Sequence, residues 1–579
     1  MINEKYIRVL YINLNDKKAW VEKREDLTEY LGGVGVATKL LDENVSPEID
    51  ALHEIQPIIL AIGPMTSIFP VVTKAVAMFK SPLTNELGES YAGGRLALSM
   101  FNTGYDAIVI LGKAKSPTYI SIDTHDVIFK DARTIWGMDT KETGRVIREI
   151  EPGHGKRSII RIGRAGENLV KYASVNVDTY RHFGRLGLGA VFGSKNLKAI
   201  SIVGSRDIEI KDFKQYFKVF QEIYKRVTDT EIMEKYHDIG TPINVAILNS
   251  AGGLPTKNLK QNVFEHGENI SGEAFADKHL VRKMACTGCP VGCIHIGQYR
   301  KEFDKGHEYE AINVSYDHEL IFALGSFLGT KTAAEVLELI EEVEFWGMDI
   351  MSTGVILGWA TEAFQKKLIK EEQTIVPLTF GNTENYIKAI KYIATIKNDF
   401  YKALGEGVER ASTIYGGSEF AMALGSNEMT GYHTGYGAIL GQALGARHSH
   451  LCNGGYSVDQ SMKDFNGEKL IDSIYAEEKE RCMLNSLCIC LFARKVYDRK
   501  TILSALDCIG INTSDEELTK VGEKILNLKL KIKKEMGFKF EDLTFPKRFF
   551  ETPSLNGQLD EGTAIMLRDM YTKKTSELK

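Results

Sequence analysis

The stretch "GRLGLGAVFGSKNLKAI", Gly184 to Ile200, sets a Gly-rich turn directly before a β-branched run that continues as "AISIVGS". Glycine lets a backbone come close to whatever lies against it, and β-branched residues suit a pleated, half-buried surface. The same alternation runs through the first two hundred residues. "YIRVLYINL", "PIILAIG", "DAIVILGKA" and "TYISI" are separated by the Gly-rich turns "YLGGVGVATK" and "YAGGRLALS". The pattern predicts a mostly β domain whose loops can approach a ligand. Taken one at a time, each Gly-rich stretch reads as a plain turn. No internal repeat is visible.

From about Asp212 the period changes. "AAEVLELIEEVEFWG" puts Val336, Leu339, Ile340 and Val343 on one helical face and stops at Gly347, a suitable C-cap. "LTKVGEKILNLKLKIKKEMGF" carries Leu518, Val521, Ile525, Leu528 and Ile532 in the same way. Its lysine-rich side reads as a solvated face. A chain of 579 residues is too long for one core. The expected class is α+β, with a β-rich base domain at 1–207 and two mainly α-helical domains at 208–415 and 416–579.

Composition narrows the functions. The chain is 43% hydrophobic and 26% charged with a net charge of -5, the balance of an ordinary globular protein. A slightly acidic chain is not built around nucleic acid, which needs a positive footprint. No run is long and apolar enough to span a bilayer, and the start lacks a basic-then-apolar signal pattern. The expected location is the cytoplasm.

All eight cysteines fall between Cys286 and Cys508, in clusters rather than spread as a disulfide framework. "MACTGCPVGCIHIG" spaces Cys286, Cys289 and Cys293 as C-x-x-C-x-x-x-C. An iron–sulfur cluster would take its fourth thiolate from a distance, with Cys488 and Cys490 as candidates. A zinc site would take His295. Unligated structural cysteines are the third reading, and spacing alone ranks the cluster first.

Several longer segments give a resemblance. "GRLGLGAVFGSKNLKAI", "GRAGENLVKYAS", "KSPLTNELGESYAGGRLALSMFNTGYDAIVILGKA", "GLPTKNLKQNVF", the cysteine loop, "HEYEA" and "FWGMDIMSTGVILGWA" resemble the aldehyde ferredoxin oxidoreductase family in content. They keep the family's order as far as about Phe550. The resemblance implies a tungsten, or molybdenum, bis-pterin centre beside a [4Fe-4S] cluster, with magnesium bridging the pterin phosphates. It implies that the β-rich domain is the pterin-binding base. Electrons would leave for ferredoxin or a ferredoxin-like subunit, the substrate would be a small molecule, and a homodimer is admitted.

Residue by residue, the resemblance puts Cys286, Cys289, Cys293 and Cys490 on the cluster, with Cys488 standing where a glycine is usual. Lys74 falls near the pterin phosphates. Tyr91, Gly93, Gly94 and Arg95 match one pterin loop, and Arg185, Leu186 and Gly187 match the other. The two pterin motifs correspond to Glu344, Gly347, Met348 and Asp349, and to Asn485, Ile489 and Cys490, each with its first aspartate replaced. Glu310, with Glu308 as the alternative, and His450, with His448 as the alternative, match the glutamate and histidine beside the metal. His433, His448 and His450 gather in one Gly-rich segment, which suggests a lined pocket. The pocket elements depart from the family: "HTGYG" and "ARHSHL" replace its usual sequences, and its C-terminal Arg-Gly-Trp-Asp element is missing. The implied reaction is interconversion of an aldehyde and a carboxylic acid. Alternatives are a low-potential reductase of a ring, thioester or acid, as in the benzoyl-CoA reductase branch, or a non-catalytic electron-transfer subunit.

Overall fold

The computed structural model describes residues 4–304, 306–462 and 464–576. Its N-terminal part consists of two six-stranded sheets. The first runs Lys18–Arg24, Ile7–Asn13, Ala107–Leu111, Ile58–Ala61, Ala75–Lys80, Leu87–Ala92. The second runs Val127–Asp131, Thr118–Ile122, Leu197–Ile202, Ser158–Arg161, Val175–Val177, Arg181–Phe183. Numbered within its own sheet, each reads second, first, sixth, third, fourth, fifth. In both, the first and sixth strands are parallel and every other neighbouring pair is antiparallel. The base is therefore an internal repeat, contrary to expectation. The repeat lies in the hydrogen-bond pattern, which tolerates almost any β-forming residue, so the sequence hides it.

Two of the Gly-rich stretches open helices rather than hairpins. In each copy the fifth strand leads through a short turn into a helix: Tyr91–Arg95 precedes Leu96–Thr103, and Gly184–Gly187 precedes Leu188–Ser194. "YLGGVGVATK" is also helical, over Gly33–Asn44. Gly33 has φ +41, and a Cβ there would lie 2.4 Å from the Asn485 carbonyl oxygen and 2.9 Å from Cys488 Sγ. Its glycine serves a close approach of backbones, not a turn.

The remainder is mainly helical with one three-stranded sheet, Leu280–Met284, Ile294–Asp304 and Glu308–Tyr316. The helix Ala333–Trp346 starts in a capping box at Thr332 and Glu335 and ends at Gly347 in the left-handed conformation, with the expected apolar face buried. The helix Asp515–Glu535 buries Leu518, Ile525 and Ile532 as its pattern requires. Its lysine side is not fully solvated. Lys529 and Lys533 are buried, Lys529 Nζ lying 2.5 Å from Glu89 and Lys533 Nζ 2.9 Å from Glu86. Lysines on this face bolt the helix to the base. Among the described residues, no helix is long and apolar enough to cross a membrane.

Candidate active site

A cavity of about 460 Å³ opens where the base meets the helical part, and Cys286, Cys289, Cys293 and Cys490 all line it. The loop that carries the first three joins two strands of the small sheet and is pinned from outside. Thr287 N–H donates to the Gly94 carbonyl at 3.0 Å, and Val71 N–H to that of Gly288 at 3.2 Å. Val71 in turn accepts from Cys490 N–H at 3.1 Å, so one turn of the base braces both thiol segments. Gly93 belongs to this junction. A Cβ there would sit 2.6 Å from Cys286 Sγ, so the thiol would have to move, and 3.2 Å from Lys74 Nζ, a tight contact.

Burial pushes the Cys289 thiol up to about 12 and that of Cys293 up to about 11. At Cys286 burial acts the same way, but Lys74 and Arg181 outweigh it and hold the thiol below its usual value. Cys488 points elsewhere. It is buried under Gly33 and Gly63 and does not line the cavity. His295, the zinc alternative, places Nε2 2.8 Å from the Asp238 carbonyl and Nδ1 3.3 Å from that of Cys293. Its ring is committed to the backbone. Among the described residues no three His, Cys, Asp or Glu side chains converge on a single ion. The four thiols line one cavity.

Two helix ends reach the cavity. The helix Ala333–Trp346 turns at Gly347, and Asp349 then caps the helix Ile350–Gln365 through Met351 N–H and Ser352 N–H. Met348 lies behind, bridged to Ala173. The helix Gly467–Ser486 ends beside Asn485, and Ile489 and Cys490 follow. Asp349, Asn485 and Ile489 line the cavity. Glu344 lies just outside the wall, with Oε1 3.5 Å from His182 Nε2, and burial pushes its carboxyl up to about 7. From the base, Lys74, Tyr91, Arg185 and Leu186 reach the cavity, while Gly94 and Arg95 hold the turn against Asp178 and Gly187 closes the second one. Arg185 Nε lies 3.3 Å from Asp349 Oδ2, and Arg447 stands over the Tyr91 ring at 5.0 Å.

His450 lines the far wall, with Nε2 3.3 Å from Glu319 Oε1. Burial pushes Glu319 up to about 8, and burial followed by Arg185 and Arg447 holds His450 well below its usual value. His318 joins them. Its Nε2 lies 3.1 Å from the Gly431 carbonyl, and burial lowers it to about 4. Tyr432 and Tyr456, stacked at 4.1 Å, complete this corner.

This corner corrects the expected acid. Glu310 and Glu308 are both exposed on the strand Glu308–Tyr316, outside the cavity. The strand carries the chain inward, and only at Asp317, which caps the short helix His318–Ile321, does it reach the site. The signal for Glu319 was present as "DHEL" but competed with the nearer-looking "HEYEA". The three clustered histidines also separate. His433 is buried with Nε2 2.9 Å from the Thr552 carbonyl, and His448 is held between Glu86 and Lys533. Only His450 of the three lines the cavity. His318, Glu319, Arg181, Arg447, Tyr432 and Tyr456 were missed because each is brought in by tertiary packing.

The cavity suits a large polyanionic, hydrogen-bonding group. Arg185 Nη1, Arg447 Nε, His318 Nδ1 and His450 Nδ1 are buried and have no hydrogen-bond partner among the described residues. Each such group costs about 1–3 kcal/mol unless a ligand or water satisfies it. Cations on the base side and acceptors at the helix ends match phosphates and amines respectively.

The sequence agrees with this geometry. The profile of the aldehyde ferredoxin oxidoreductase N-terminal domain matches residues 9–204, and that of domains 2 and 3 matches 218–574. The tungsten-containing aldehyde ferredoxin oxidoreductase of Pyrococcus furiosus is 33% identical over 98% of this chain and 94% of its own. An aliphatic sulfonate oxidoreductase, WOR-like subunit, from the same organism is 29% identical over 90% of this chain and 85% of its own. In fold, the chain superposes with a TM-score of 0.83 on the active-site complex BamBC of benzoyl coenzyme A reductase, at 18% identity over 99% of this chain and 95% of that one. The chain belongs to the aldehyde ferredoxin oxidoreductase family.

Proposed function

We propose that the chain is a tungsten, or molybdenum, bis-pterin oxidoreductase that interconverts an aldehyde and a carboxylic acid. Its electrons pass through a [4Fe-4S] cluster on Cys286, Cys289, Cys293 and Cys490 to ferredoxin or a ferredoxin-like subunit. The observation that carries this reading is that one cavity gathers the four thiols, the two helix-end acceptors and the Glu319–His450 pair. Lys74 and Arg185 would face the pterin phosphates, whose bridging magnesium would be held at the Tyr91–Arg95 and Arg185–Gly187 turns. Asp349 and Asn485 would accept from pterin amines. Asn485 does so without a charge, so its hold is the weaker.

When bound, the metal–pterin group supplies two-electron redox chemistry and the cluster a one-electron exit. The balance is one aldehyde and one water giving one acid, two electrons and two protons. Ionised Glu319 takes a proton from the attacking water or hydrated aldehyde. With Glu319 ionised, neutral His450 would carry its proton on Nε2 toward that carboxylate, 3.3 Å away, which leaves Nδ1 as an acceptor for water or a substrate hydroxyl. His318 donates through Nε2 to the Gly431 carbonyl, which leaves Nδ1 as an acceptor for a substrate hydroxyl. A panel of aldehydes with a viologen dye under anaerobic conditions tests the reading. Aldehyde-dependent dye reduction supports it.

A second reading keeps the cofactors and changes the substrate. The stacked Tyr432–Tyr456 wall suits a planar ring, as reduction of an aryl thioester would require. Absence of aldehyde turnover in fully loaded enzyme, with dye-driven reduction of an aryl thioester, would favour it.

A further inference from the structure

The helix Phe213–Thr228 carries an aromatic stripe that the fold leaves uncovered. Phe213 is 64% exposed, Phe217 49% and Tyr224 45%. The rings stack along the helix, Phe213 on Phe217 and Phe220 on Tyr224, each pair at 6.2 Å. The helix is anchored by buried Ile223 and Val227, and Arg226 lies 3.0 Å from Asp498. The helix is thus held firmly while presenting rings to solvent, the mark of an interaction surface. Lys214, Lys218 and Lys225 are exposed around the stripe, against one carboxylate within the helix, Glu222. Within the helix the sign is positive in a chain of net charge -5, with Asp212 and Asp229 at its two ends.

Position gives the patch its meaning. Tyr216 Oη donates to the Ile68 carbonyl at 2.9 Å. Ile68 begins the turn whose other end, Val71, is bonded to Gly288 in the cysteine loop and to Cys490. The stripe therefore stands on the same short turn that braces all four thiols. We propose that it is the docking surface for a small acidic iron–sulfur protein that exchanges electrons with the cluster. Apolar rings would give the contact its core, and the lysines would steer the acidic partner and set its salt dependence. This rests on the cluster being the electron exit of the proposed function.

The test uses holoenzyme and a purified acidic 2[4Fe-4S] ferredoxin, with binding by calorimetry measured apart from turnover. The variants are the triple Phe213→Ser/Phe217→Ser/Tyr224→Ser and the charge reversal Lys214→Glu/Lys218→Glu. Both are expected to weaken ferredoxin binding and raise its KM about tenfold or more, the scale of one lost interface anchor, while viologen-linked turnover stays unchanged. Unaltered binding and KM in the charge reversal would overturn the proposal, even if the triple variant folds poorly. Absence of ferredoxin binding to wild-type enzyme would overturn it too, as would a dimer that dissociates in the triple variant with ferredoxin KM unchanged. Loss of aldehyde turnover with viologen in wild-type enzyme would count against the proposed function alone, since the binding measurement does not need it.

Discussion

Glu319 and Glu310 separate a buried acid from an exposed one nine positions away. Glu319→Gln is expected to lower kcat by about 10²–10⁴-fold, the usual worth of a positioned acid or base, with metal content retained. Glu310→Gln should leave kcat unchanged. The reverse outcome in this pair would return the role to the exposed strand. The carboxyl of Glu319 is protonated below about 8 and ionised above it. Aldehyde oxidation needs the ionised form, so its rate should climb about tenfold per pH unit below that value and level off above it. Acid reduction, which needs the protonated form, should do the opposite. A pH profile of wild type against Glu319→Gln checks the sign, because the variant should lose the slope. His450, which lines the cavity, was singled out by the family resemblance, since the Gly-rich segment alone offered His433 and His448 equally. Glu319 was not, because two similar tetrapeptides compete and only the path of one strand decides between them.

At the scale of elements, each proposed cofactor contact sits where a strand, turn or helix ends. The Tyr91–Arg95 turn and the cysteine loop pack so closely that a Cβ at Gly93 would displace Cys286 Sγ, 2.6 Å away. Gly93→Ala should therefore reduce iron per chain, measured in protein purified without air. Cys490→Ser should abolish the reduced-cluster signal in electron paramagnetic resonance. Cys488→Ser should keep that signal and lower the apparent Tm, since burying a hydroxyl under Gly33 and Gly63 costs about 1–3 kcal/mol. If the two cysteine variants exchange behaviours, the fourth ligand is Cys488. The strands "YIRVLYINL" and "DAIVILGKA" were plain in the sequence, because β-branched runs declare themselves locally. The repeat was not. Between the two copies the visible common thread is Gly-Arg-Leu after the fifth strand, at Gly94–Leu96 and Gly184–Leu186. Nothing local announces that two such tripeptides hold equivalent places in two sheets.

Across the whole molecule, the base and the C-terminal helices share buried charges. Lys529 meets Glu89, which accepts from Tyr91 at 2.7 Å, so the C-terminal helix supports the Tyr91–Arg95 turn. Lys529→Met removes the nearer of two cations beside Glu89, leaving Arg447 Nε at 3.7 Å, and should destabilise the protein by up to about 3–5 kcal/mol. Thermal unfolding of holoenzyme would register this as a lower apparent Tm, and an unchanged Tm would mean that the pair does not hold the halves together. The sequence could not reveal such contacts, because a lysine-rich helix face reads as solvated until a carboxylate from elsewhere is brought against it. The cavity itself exists only through this assembly, since its walls come from segments more than four hundred residues apart. What fills it is answered most directly by elemental and pterin analysis of protein purified anaerobically. Tungsten or molybdenum with about four irons per chain, and pterin released on denaturation, is the expected composition. Zinc as the sole metal, with no pterin, would contradict the function assigned to this cavity.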